Sequence, residues 1–172
     1  MFFVGAMLYV LIITLIFYRF MFLELRPADL SHSYWINMGA VAISTLAGTV
    51  LIANAPGNSF LSPLISFISG LTIFFWAVAT WWIPFLVALG VWRFVIHREK
   101  MSYDPLYWSM VFPIGMYTTC TFRLGEATKL GFLFPISRCF IFAAITAWTL
   151  TFFGLLHSIA AACRRSPDTK LH

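Results

Sequence analysis

The chain has 172 residues, of which 61% are hydrophobic and 10% charged, with a mean hydropathy of +0.89 and a formal net charge of +5. A soluble domain carries about a quarter charged residues, so composition excludes that class and points to an all-α polytopic membrane protein. In hydrocarbon the backbone must close its own hydrogen bonds, and long apolar runs are therefore helices.

Phe2 to Leu23 is the first span, close to the roughly twenty residues needed to cross the core. It has neither the basic leader nor the small-residue cleavage site of a signal peptide. A polar loop with Pro27, Asp29, Ser31 and Ser33 follows. The second span, Trp35 to Ala53, is built from small residues. Ala40, Ser44 and Gly48 recur at four-residue intervals, the spacing that lets helices approach closely, and Asn37 falls near the same stripe. This stripe reads equally as a packing face or as a narrow, polar-lined pore wall.

After the uncharged turn Asn54 to Ser59, the third run extends from Phe60 to Ile96. Dividing it at Pro84 leaves a second piece too short to span, so one long, tilted span kinked near Pro84 is expected. Arg93, His97, Arg98, Glu99 and Lys100 then form a basic loop. The fourth span runs from Pro105 to Leu124, with Pro105 in its first turn. Gly125 to Leu133, carrying Glu126 and Lys129, is the next connection. The fifth span runs from Phe134 to Ala161, with Arg138 one turn inside it, and Arg164 and Arg165 close the membrane part. Residues 166–172 form a polar tail.

The basic clusters Arg19/Arg26, Arg93/Arg98/Lys100 and Arg164/Arg165/Lys170 all fall on one side of a five-span layout. The positive-inside rule makes that side cytoplasmic. It predicts a multi-pass protein of the cell membrane with its carboxyl terminus inside. Arg123, Lys129 and Arg138 fall on the outer side. There they either ring a mouth that attracts anions or snorkel to headgroups.

Within the fourth span, Trp108, Phe112, Gly115, Thr119 and Phe122 follow at steps of four, three, four and three, which is one helical stripe. A bulky aromatic followed by glycine and hydroxyl describes a pore wall with a plug in it; the competing reading is a helix-packing face. Cys120, Cys139 and Cys163 show no paired spacing, and His32, His97, His157 and His172 are scattered. No metal-ligand set, cofactor motif or nucleophile–base constellation emerges, so no enzyme is expected. No basic, aromatic-interleaved patch suggests nucleic acid.

Three strings resemble bacterial members of the tellurite-resistance/C4-dicarboxylate transporter family: Tyr34 to Gly48 preceded by Pro27-Ala-Asp-Leu, Phe75 to Leu86, and Tyr103 to Tyr117. The superfamily includes the slow-type anion channels of plant guard cells and the malic acid transporters of yeasts. The resemblance implies a ten-helix, five-hairpin pore, commonly trimeric, of which this chain looks like helices six to ten. The second and fourth spans would then be inner helices and the first, third and fifth outer ones. By the Trp-Ser-Met-Val-Phe-Pro motif the gate would be Phe112. The pore lining would be Asn37, Ala40, Ser44, Gly48, Trp108, Gly115 and Thr119, with Arg123 and Arg138 at the outer mouth. The partners implied are small anions or dicarboxylates such as malate, membrane lipid, and further copies of the chain. Because five spans cannot close a five-hairpin ring, an N-terminal half or a partner chain is expected to be missing. Met1 opening directly into a span favours a truncated gene. The resemblance thus implies anion transport; a non-transporting membrane scaffold is the alternative.

Overall fold

The computed structural model describes residues 1–24, 34–96, 98 and 103–165, with only the backbone of residue 165. The described residues contain five long helices: α1 (Phe2–Phe22), α2 (Trp35–Ala53), α3 (Ile65–Val91), α4 (Trp108–Thr128) and α5 (Leu133–Arg165). There are no strands among the described residues. The polar loop with Pro27 and Asp29, the residues His97, Glu99 and Lys100 of the basic loop, and the tail from 166 lie outside the described residues.

The long third run is one helix. A 3-10 turn, Ser62–Leu64, leads into α3 with Pro63 in its first positions, where a missing N–H costs nothing. Asn58 anchors that turn by accepting from the Phe60 and Leu61 amides at 3.0 and 3.2 Å. Pro84 removes the hydrogen bond to the Thr80 carbonyl, yet α3 continues to Val91 and ends in a π-helical turn, Trp92–Ile96.

The fourth helix runs further than its sequence limits. Gly125 to Thr128 belong to α4 rather than to a connection, because nothing in Gly-Glu-Ala-Thr breaks the backbone until Lys129 takes a left-handed conformation (φ 57°). The turn closes with the Leu133 amide donating to the Leu130 carbonyl at 3.2 Å.

Among the described residues, four helices are long and apolar enough to cross a membrane: Phe2–Phe22, Trp35–Ala53, Ser62–Ile96 and Leu133–Arg164. α4 does not meet that measure. It carries Arg123, Glu126 and six hydroxyl side chains from Ser109 to Thr128, counting Tyr117. A helix enclosed by neighbours need not be apolar all round. α4 lies between α2 and α5, and α2 lies between α3 and α4. α2 is also the most buried of the four apolar helices, with 39% of its apolar window buried against 6% for α1. α2 and α4 are thus the inner pair, running parallel side by side, and α1, α3 and α5 flank them.

Small residues set how close the inner pair sits. A methyl on Gly39 would stand 3.1 Å from Pro113 Cγ. A methyl on Gly48 would stand 2.9 Å from Thr72 Cβ, so α2 meets α3 there with no room for a side chain. α1 meets α3 through aromatic rings instead: Phe2 and Tyr9 stand edge-on to Phe75, and Phe17 stacks on Trp82.

Among the described residues, polar side-chain bonds tie the helices together. Trp76 Nε1 donates to Thr121 Oγ1 at 3.0 Å, and Thr80 and Tyr117 share a hydroxyl bond at 2.8 Å. Trp82 Nε1 donates to the Tyr9 hydroxyl at 3.1 Å, and Ser137 Oγ to the Thr118 carbonyl at 3.1 Å. Such bonds contribute about 0.6 kcal/mol each inside a membrane. The bonds to Thr121, Tyr117 and Thr118 fix the rotation of α3 and α5 about α4, and the Trp82–Tyr9 bond ties α1 to α3.

Candidate functional site: an open face on the inner helices

α4 buries Val111, Pro113, Tyr117, Thr118, Cys120, Thr121, Leu124 and Gly125. That packing decides which side is left over. The remaining side carries Phe112, Thr119, Phe122, Arg123 and Glu126, all exposed. Phe112 is 54% exposed, and no other ring among the described residues packs on it. One turn further on, Gly115 has open space where a side chain would stand.

The exposed side of α2 joins this face. Leu46, the buried Thr49, Val50 and Ala53 of α2, Asn54 just beyond it, and Thr119, Arg123, Glu126 and Ala127 of α4 line a groove of about 510 Å³, within the range of small-molecule sites. It opens at the carboxyl-terminal ends of the two parallel helices. Arg123 Nη1 donates to Glu126 Oε2 at 3.1 Å, one turn along the same helix.

The residues expected to line a pore separate into groups. Phe112, Gly115 and Thr119 share the open face of α4. Asn37, Ala40 and Ser44 are half-buried on α2, and Trp108 is half-buried at the first turn of α4. Gly48 is buried in the α2–α3 contact against Thr72. Arg123 lines the groove, whereas Arg138 is exposed on α5 and does not. The hydroxyls are committed locally: Ser44 Oγ donates to the Ala40 carbonyl at 3.0 Å, and Thr119 Oγ1 to the Gly115 carbonyl at 3.1 Å. They must rotate before they can donate to an anion.

Of the groove residues, only Thr119 and Arg123 were singled out by sequence reasoning; Glu126 and Thr49 are among those it missed. Glu126 falls beyond the sequence limit of the fourth span, although its spacing of three from Arg123 is the signal of a helical ion pair. Thr49 lies one residue off the Ala40–Ser44–Gly48 stripe, and only the burial of Gly48 shows which way α2 is turned.

The model of the voltage-dependent anion channel family matches residues 1–156. The chain belongs to this family. An uncharacterized membrane protein of Mycobacterium tuberculosis (strain H37Rv) is 41% identical over 161 residues, covering 92% of the chain and 80% of the relative. Two uncharacterized transporters of Methanocaldococcus jannaschii are 26% and 22% identical over 117 and 147 residues. The matches cover 68% and 86% of the chain but only 32% and 41% of those transporters. No solved structure matches the chain. Family membership agrees with the apolar helices, and the family is one of channels.

Proposed function

We propose that the chain forms one wall of a membrane route for small anions, with C4-dicarboxylates such as malate within its range. The observation that carries this reading is the open face of α4, where Phe112, Gly115, Thr119 and Arg123 stand in line beside the groove shared with α2. An anion leaving water loses hydration worth many kcal/mol, so its route needs compensating charge or a wet polar lining. The mouth carries Arg123 with its partner Glu126, and Thr49, Gly115 and Thr119 supply a lining that holds an anion weakly, which suits conduction; Asn37, Ala40 and Ser44 share the Gly48 stripe and turn away from the groove. Gly48 lets α2 approach α3. Phe112 is the gate, and the space beside Gly115 is where its ring swings.

No Asp or Glu lies mid-span among the described residues, which favours passive flux over proton-coupled exchange. Positive-inside topology puts the carboxyl terminus in the cytoplasm. α2 and α4 enclose the groove from one side, so closure of the route requires more helices. These come from further copies of the chain, with a trimer as the family resemblance implies, or from an N-terminal half or partner chain.

The same one-sidedness supports a second reading, a membrane scaffold that transports nothing. Proteoliposomes carrying the full chain, loaded with labelled malate or labelled chloride, separate the two. Protein-dependent anion efflux supports the route; efflux no faster than from protein-free vesicles, with the chain inserted, supports the scaffold.

A further inference from the structure

Arg123 and Glu126 point into the same groove as an ion pair at 3.1 Å. They are the two charged residues among those that line it. Their side chains are 62% and 46% exposed, so both meet whatever enters the groove. A lone arginine there would concentrate anions, whereas a paired one presents a dipole of nearly zero net charge. The α4–α5 turn is closed by backbone bonds at Leu133 and Phe134, and Gly125 is covered by the Phe134 ring. Glu126 takes part in neither.

We propose that Glu126 sets the rate of anion entry into the groove by neutralising Arg123, a role that rests on the groove being an anion route. The carboxylate holds the guanidinium along the helix and cancels its field. This keeps the mouth weakly binding, so that anions that enter pass without being trapped. A unit charge acting across about 7 Å of water changes the local concentration of a monovalent anion about threefold, and the effect fades at 1 M salt, where screening acts within about 3 Å.

The test is chloride flux into proteoliposomes holding equal amounts of full-length protein. At low salt Glu126→Gln is expected to raise flux about threefold and Arg123→Gln to lower it about threefold. The double variant is expected to return close to the starting rate, and all differences to shrink at 1 M salt. Phe112→Ala serves as the control for the route itself. If Phe112→Ala raises flux while both charge variants leave it unchanged, the role of Glu126 in anion entry is overturned and the anion route stands. If the charge variants both lower flux and the double variant lowers it further, the pair is structural and the proposal is wrong. If no protein in the set conducts chloride, the route is overturned and the role of Glu126 with it.

Discussion

Phe112→Ala is the perturbation with the clearest consequence. The ring is 54% exposed and belongs to the open face, not to the buried set of α4. Its loss should therefore leave the helix packing intact, and the variant should insert in normal amounts. For an anion to pass, the ring must leave its preferred rotamer, and an off-rotamer side chain costs about 0.5–1.5 kcal/mol. With about 1.4 kcal/mol per tenfold in rate, removing that step should raise anion conductance about two- to twelvefold. Phe112→Leu should fall between the two, since its side chain is smaller and more readily turned. Conductance in planar bilayers, normalised to the amount of protein incorporated, reads the effect. Unchanged conductance at equal incorporation would refute the gate assignment, because nothing else about Phe112 is demanding enough to hide it.

Three predictions concern the scaffold that positions this face. Gly48→Ala should weaken the α2–α3 contact by about 1–3 kcal/mol, since the new methyl has to displace Thr72; thermal unfolding in detergent reads it, and a wild-type midpoint would show that α2 is turned differently. Phe75→Ala should cost about 3–5 kcal/mol by emptying a fully buried site between α1 and α3, seen as loss of folded protein in the membrane. Tyr117→Phe removes the bond to Thr80 but not its packing on Phe140, so it should cost only about 0.6–1.7 kcal/mol, and a larger loss by unfolding in detergent would mean that the hydroxyl serves more than this one contact.

Much of the fold was legible because apolar run length alone sets a membrane helix. α2 begins and ends at Trp35 and Ala53, and α1 stops within a residue of its sequence limit. α4 was less legible at its far end, since Glu126 reads as a loop residue until the continuous backbone through Gly125 is seen. The spacing of Phe112, Gly115 and Thr119 identifies a stripe but not what faces it. That stripe is left open because Pro113, Tyr117 and Thr121 are drawn inward by α2, α3 and α5. The split within the Ala40, Ser44 and Gly48 stripe could not be read at all. It depends on Thr72, twenty-four residues further along the chain, and no local pattern specifies that partner.

Single-cysteine accessibility along α4 tests the central claim most directly, because it asks which side of that helix meets the permeating anion. Cys139 and Cys163 are exposed and would be replaced by alanine, while Cys120 is buried. Cysteines are then placed one at a time at Gly115 and Thr119 on the open face and at Thr118 and Thr121 on the packed face. A bulky, charged thiol reagent added during chloride efflux should react at 115 and 119 and block flux, and leave 118 and 121 untouched. Block from 118 or 121, or equal protection at all four positions in a conducting protein, would place the anion route elsewhere.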